Sequence, residues 1–389
     1  MTTVSENVVE AAAALGPLLR ELSAEHERER RLSAAAIDAL RGAGIFRMGI
    51  PRALGGLESD PLTTLRVIEE LAVADGATGW CANIYLGTST TSGLIAADAA
   101  RAMFPPGADT IIAGAFAPKG RAEIVEGGYR VSGRWPFASG CEHCDWLVGG
   151  CTVFEGEKPR MLRESVPDMQ LLIFPRADAE IIDTWDVAGL RGTGSHDIAV
   201  RDLVVPRERA VPLSSMNDAR GQHGPLYTFP TIGLLAAQVA SVPLGIARRA
   251  IDELVALASE KTPVGASSTL VRRPLTHDKV ARAEAELRSG RAFLFETVSE
   301  VWDHVVAGDK ATLRQRAMLR LASAHATTAA VRATDLAYDL GGGTSLYASS
   351  ALQRQFRDVH AVTQHILASD SNYEWMGRVL LGLDPAGIL

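Results

Sequence analysis

Along the first hundred positions apolar residues recur every three to four places. That spacing predicts a helix over 8–22 and another over 33–40, with Ser33 placed to cap the second. Gly42-Ala43-Gly44 ends it, 51–56 reads as a loop, and 61–74 is an amphipathic helix. Residues 80–100 are small and nearly uncharged, the signature of a buried helix. Near Asp109 the period changes. Short apolar runs at 110–114, 129–132, 146–149 and 170–174 are punctuated by Gly, Pro and Asp, a pattern of strands and turns. A loop rich in Gly, Asn, His and Pro spans 216–225, and the helical period then returns at 232–261, 276–306, 311–340 and 349–365. Wide apolar faces and short loops make these an antiparallel four-helix bundle. The expected organisation is an α+β multidomain chain: helical over 1–108, strand-rich over 109–222, and a bundle over 223–389.

Composition narrows the function classes. The 389 residues are 47% apolar and 22% charged, the profile of a soluble globular protein with a substantial core. A net charge of −7 without any Lys/Arg-rich run argues against a nucleic-acid partner. No uninterrupted apolar run reaches the ~18–20 residues that span a bilayer. The longest candidate, 233–247, is broken by Gln238 and Pro243 and reads as a core helix. The first residues lack a basic region followed by an apolar one, and four cysteines do not make a disulfide framework, so a cytoplasmic protein is expected. Nucleophile-elbow, P-loop and dinucleotide fingerprints are absent from the sequence.

Three blocks carry more. The first is Phe356-Arg357-Asp358-Val359-His360-Ala361-Val362-Thr363-Gln364-His365. The second runs from Gly127 through Trp135-Pro136-Phe137-Ala138-Ser139-Gly140. The third is Asp183-Thr184-Trp185-Asp186-Val187-Ala188-Gly189-Leu190-Arg191-Gly192-Thr193-Gly194-Ser195-His196-Asp197, followed by Val204-Val205-Pro206. Taken singly, each middle block is also an ordinary capped turn between strands. Together, and in the order helical, strand-rich, helical, they resemble the acyl-CoA dehydrogenase superfamily over essentially the full length.

That resemblance implies an N-terminal helical domain, a central β-barrel-like domain and a C-terminal four-helix bundle around a flavin. In many dehydrogenases the Arg-Asp signature continues into a Glu that removes the substrate α-proton. Ile366 stands there in this chain, and an isoleucine cannot take a proton. Its neighbour His365 is similar to a histidine of the group D two-component flavin-dependent monooxygenases. Such relatives take FADH2 or FMNH2 from a separate flavin reductase and, through a C4a-hydroperoxide, insert one atom of O2 into a small aromatic substrate. His365 then has two open roles, stabilising that hydroperoxide or accepting a substrate proton, both suited to an intrinsic pKa of ~6.5. His360 is expected to be structural.

By the same resemblance Phe137 and Ser139 line the flavin, with Ser139 near N5, and Thr193 and Ser195 offer further hydroxyls. His277, at the start of a bundle helix, takes the place of a Gln that reaches the flavin of a neighbouring subunit. Gly341, Gly342 and Gly343 end a long helix with amides that can face a phosphate or flavin edge, or serve only as a C-cap. His196 is expected in a turn or at the surface. Cys141-Glu142-His143-Cys144 has zinc-like spacing, but Cys144 precedes Asp145 where relatives carry a small residue, so no metal is expected.

Ser89, Ala115 and Phe116 stand where phenol-hydroxylating relatives grip the phenolate, yet they offer neither the histidine nor the strand serine used for that purpose. An apolar pocket for an indole, a polyketide-like aromatic or a sulfur heterocycle is therefore expected. N- or S-oxygenation, a dehydrogenase with its base relocated to Asp252 or Glu253, and a catalytically dead binding protein are the alternatives. Relatives assemble as homotetramers, dimers of dimers.

Overall fold

The computed structural model describes residues 4–105, 107, 109–164, 166–216 and 224–386. Most of the predicted 216–225 loop, residues 217–223, lies outside them. The expected helix over 8–22 is two: α1 (Val4–Ala14) and α2 (Gly16–Glu29), parted where Pro17 brings a residue without an N–H to a helix start. Ser33 caps α3 (Ala34–Gly42) through the Ala36 N–H. Asp60 caps α4 (Pro61–Ala74) through the Thr63 N–H at 2.9 Å, and Asp75 caps α5 (Gly76–Ser89) through the Thr78 N–H at 3.1 Å. The helix expected over 80–100 stops at Ser89. There the hydroxyls of Thr90, Thr91 and Ser92 bond back to the carbonyls of Gly87, Thr88 and Ser89, tightening the chain into a 3-10 turn before α6 (Ala97–Met103).

The middle of the chain is a sheet built from β1 (Ile112–Val125), β2 (Gly128–Trp135), β3 (Trp146–Glu155), β4 (Lys158–Pro159), β7 (Met169–Pro175), β8 (Glu180–Ile182), β9 (Asp197–Pro206) and β10 (Ala210–Pro212). The short β5 (Met161–Arg163) and β6 (Val166–Pro167) pair with each other. Its order is β10-β7-β3-β1-β2-β9-β8, with β4 beside β3; β1 runs parallel to β3, and the other pairings are antiparallel. The two end strands, β10 and β8, do not pair with each other, so the barrel-like module is an open mixed sheet. Trp135 is wholly buried at its centre. A Cβ on Gly120, Gly133 or Gly149 would come within 2.4–2.8 Å of that indole, so all three must be glycine for it to fit.

After the sheet come α7 (Thr231–Glu260), α8 (Pro274–Val306), α9 (Leu313–Gly341), α10 (Ala351–Val362) and α11 (Ser371–Leu380). α9 packs along both α7 and α8, and α4 packs on α7, joining the first helices to the bundle. By length and mean hydropathy α7 could cross a membrane, more than the sequence pattern suggested. However, 83% of its apolar window is buried inside the fold, and it serves as a core helix. α10 ends three residues short of His365, and α11 was not anticipated.

Candidate active site

α5 is the platform. Its Trp80 donates Nε1–H to Ser139 Oγ at 2.9 Å, Cys81 Sγ donates to the Thr193 carbonyl at 3.6 Å, and Tyr85 Oη donates to the Gly140 carbonyl at 3.2 Å. These bonds anchor two loops, 136–141 after β2 and 190–196 before β9. The loops also pair with each other, Ala138 N to His196 O at 3.0 Å and Gly140 N to Thr193 O at 2.8 Å.

Their hydroxyls form a chain with a direction. Thr193 Oγ1 donates to the Leu190 carbonyl at 2.9 Å, using its only proton. Ser195 Oγ, 2.6 Å away, must then donate to Thr193, and Ser139 Oγ, 2.7 Å from Ser195, must donate to Ser195. Ser139 therefore has no proton left. It accepts from Trp80 and keeps one lone pair to offer. Beside it Phe137 holds a left-handed backbone (φ 64°), costly for an aromatic residue, and is 69% exposed with its ring edge-on to Trp185.

The 184–196 segment is fixed from behind by the Arg-Asp pair. Asp358 Oδ1 accepts the Leu190 N–H at 2.6 Å, and Arg357 donates to the Ala188 carbonyl and to Glu27 of α2. A Cβ on Gly189 would lie 2.1 Å from the Arg357 carbonyl, so the contact admits only glycine. Burial pushes the Asp358 carboxyl up to about 7. His196 is buried, not at the surface; its Nδ1 accepts the Thr184 and Trp185 amides at 3.2 and 3.3 Å and shapes this turn.

His365 sits in the turn after α10, where its N–H reaches the Val362 carbonyl at 3.0 Å. The Leu367 amide donates to its Nδ1 at 3.3 Å, which leaves the proton on Nε2. Its ring meets the Trp80 edge at 5.6 Å and 75°. Burial, and then the charge of Arg320, lower its pKa to about 4. The imidazole is thus neutral at pH 7 and presents an N–H. That geometry favours the stabilising role over proton acceptance, and the intrinsic value near neutrality does not apply. Ile366 is exposed, and the two carboxylates expected as a relocated dehydrogenase base, Asp252 and Glu253, are ion-paired to Arg248 and Arg249.

Residues 8–101 match the model of the acyl-CoA dehydrogenase N-terminal domain and residues 237–370 that of the C-terminal domain. The chain is 36% identical over 361 residues to indole-3-acetate monooxygenase of Pseudomonas putida, covering 93% of this chain and 90% of that one. It is 29% identical to the flavin-dependent monooxygenase oxygenase subunit HsaA of Rhodococcus jostii, covering 90% and 92%. The structure of XiaF from Streptomyces in complex with FADH2 and glycerol superimposes with a TM-score of 0.91 at 25% identity, covering 99% of this chain and 97% of that one. The chain belongs to the acyl-CoA dehydrogenase superfamily. Within the superfamily it is a flavin-dependent monooxygenase, the oxygenase component of a two-component system that works with reduced flavin.

The site fits the flavin these oxygenases use. An exposed aromatic at a fixed angle can stack on a planar ring, and the free lone pair of Ser139 can accept an N–H. The remaining expected cofactor residues gather elsewhere. His277 is exposed at the start of α8, with Nε2 bonded to the Val271 carbonyl at 2.8 Å. The Gly341–Gly343 turn lies near it, since Lys279 of α8 and Asp339 of α9 pair at 3.5 Å. Gly341 is buried against Ser345 and Leu352, while Gly342 and Gly343 are exposed. Lys261 donates to the Gly341 carbonyl and Thr344, and an open cleft of about 280 Å³ lies alongside, lined by Glu253, Leu257, Thr344, Tyr347 and Leu352.

Of the expected substrate residues, Ser89 and Phe116 lie away from the Trp80 face, whereas Ala115 packs against the core that holds Trp80 and Tyr85. Ser89 falls on the side of α5 opposite Trp80, where its hydroxyl bonds the Leu86 carbonyl and packs on Gly49. Phe116 packs with the core of Ile112, Val148 and Leu171, while its neighbour Ala115 packs on the core that includes Trp80 and Tyr85. Cys141 and Cys144 donate to backbone carbonyls, Sγ to Gly194 O at 3.7 Å and to Gly140 O at 3.3 Å. His360 bonds Asp335 at 2.9 Å and packs against Phe356 with the rings tilted by 59°.

The sequence pattern missed four polar groups. Asn83 and Gly87 follow Trp80 on the same face of α5. Gln238 of α7 faces Gly87, and Asn83 Nδ2 and Gln238 Oε1 are buried without partners. Trp80 itself read as one more core residue. Arg320, 1% exposed, lies in the helix expected over 311–340 and was not singled out there.

Proposed function

We propose that this monooxygenase hydroxylates a small aromatic or heteroaromatic compound of indole-like size, held between the Trp80–Asn83–Gly87 face of α5, α7 and the His365 turn. The observation that carries the reading is the Trp80 bridge, whose N–H holds Ser139 while its ring edge meets His365. Reduced flavin, delivered by a separate reductase, supplies the electrons that activate O2. Phe137 would support its ring and Ser139 would accept an N–H from it, while Thr193 and Ser195 keep Ser139 an acceptor. His365 would offer its Nε2–H to the oxygen that the flavin chemistry supplies, and its burial would help keep water away.

The assembly we propose is a homotetramer, a dimer of dimers working in the cytoplasm. His277, Gly342 and Gly343 would reach a neighbouring subunit's flavin from the cleft end of the bundle. The exposed apolar side chains of Leu346 and Tyr347 support an interface there.

The test supplies purified protein with enzymatically generated FADH2 or FMNH2, indole or indole-3-acetate, and ¹⁸O2. One labelled oxygen in the product is expected. Unlabelled product, or bleaching of oxidised flavin by an acyl-CoA, would overturn the reading.

A further inference from the structure

We propose that Arg320 is the seat of an acidic group on the substrate, so that the aromatic compound taken by this enzyme is a carboxylate. The inference rests on the monooxygenase reading of the same site. Arg320 projects from α9 into the interior and is 1% exposed. One Nη2–H is bonded to Asn372 Oδ1; Nε and Nη1 have no partner, and among the described residues no carboxylate pairs with it. A buried guanidinium with unmet donors is costly, and it becomes favourable when a planar anion takes up the remaining N–H groups.

Its location ties it to the chemistry. Asn372, at the start of α11, donates Nδ2–H to the Ile366 carbonyl at 3.2 Å and the Ser369 carbonyl at 2.7 Å. Arg320 therefore lies directly behind the turn that carries His365, close enough for its charge to act on that imidazole. An acid held by Arg320 brings the ring attached to it to the His365 end of the site. If Arg320 only clamped Asn372, one donor would suffice and the charge of a ligand would not matter. The unmet pair Asn83 and Gln238 offers hydrogen bonds for a polar atom elsewhere on the molecule, but no charge.

The test is binding to the flavin-free protein, measured by titration calorimetry. Indole-3-acetate is compared with indole-3-acetamide, and 4-hydroxyphenylacetate with its amide, pairs that keep shape and remove charge. Each acid that binds should do so at least tenfold more tightly than its amide. Arg320→Gln should bring acid affinity down to the amide's, and Arg320→Lys should restore part of the gap. Equal affinities within a pair, no binding of either acid, or an unchanged gap in Arg320→Gln would overturn the proposal. Should the Gln variant fail to fold, the wild-type pairs decide alone. Incorporation of ¹⁸O into neutral aromatics without any preference for acids leaves the monooxygenase reading standing and removes this site; acid binding without oxygenation does the reverse.

Discussion

The Trp80 indole stands edge-on to the His365 imidazole, ring centres 5.6 Å apart, while its N–H is bonded to Ser139. One side chain of α5 thus spaces Ser139, proposed to face the flavin, from His365, proposed to face the oxygen. Trp80→Phe keeps the ring edge and removes the donor. A neutral hydrogen bond contributes about 0.5–1.5 kcal/mol. Reduced-flavin affinity should fall by roughly 2- to 13-fold on that account, measured by anaerobic titration.

His365→Ala should uncouple the enzyme. We expect hydroxylated product per O2 consumed to drop on the order of 10²-fold, with H2O2 taking its place, and His365→Gln to recover part through its amide N–H. Because burial and Arg320 lower the imidazole pKa to about 4, wild-type coupling should not change through protonation of His365 between pH 6 and 8. A transition near 6.5 that disappears in His365→Gln would show that the ring titrates as if in water.

The hydroxyl chain makes Ser139 an acceptor only while Thr193 and Ser195 hold their places. Reduced flavin carries an N5–H, and oxidised flavin does not. Ser195→Ala frees the Ser139 proton and should narrow the preference for reduced over oxidised flavin several-fold, read as the ratio of two dissociation constants. An unchanged ratio would refute the directional reading.

Asp358 gives a pH test of stability. Its carboxyl is pushed up to about 7, above the unfolded value of ~3.9, so the folded state binds its proton more tightly. Its contribution is complete below ~4 and is lost as pH rises toward 7. Asp358→Asn keeps an acceptor for the Leu190 N–H and removes the titration. Its melting temperature should therefore gain on wild type from pH 5 to 8. Asp358→Ala leaves that buried N–H unmet and should cost about 1–3 kcal/mol.

The sequence disclosed the fold because local periods and short loops carry most of it, and the three blocks with unusual composition proved to be joined. Phe137, Ser139, Thr193 and Ser195, singled out through the family resemblance, lie on two loops that bond directly to each other. What the sequence could not disclose depends on contacts made at long range. Ser89 was placed by position along α5, and only the helix's orientation shows that it turns away from Trp80. His365 was visible as a residue, but its low pKa comes from burial and from Arg320, which lies on another helix. The break after Ser89 was hidden because Thr and Ser signal backbone competition only once their hydroxyls have carbonyls in reach.

Gly87 marks where the pocket can be reshaped. A Cβ there would meet Leu235 Cδ2 at 2.6 Å and Gln238 Oε1 at 2.9 Å. Gly87→Val should weaken substrate binding on the order of tenfold or more, with flavin affinity unchanged, since the bonds to both loops leave α5 from Trp80, Cys81 and Tyr85.

Those three bonds also limit how descendants of this enzyme can diverge. Tilting α5 to admit a different molecule would drag with it both loops proposed to hold the flavin, so new specificities would have to arise by exchanging side chains on a stationary helix. Gly87, Asn83 and the facing positions of α7 are the places where such drift costs the lineage least.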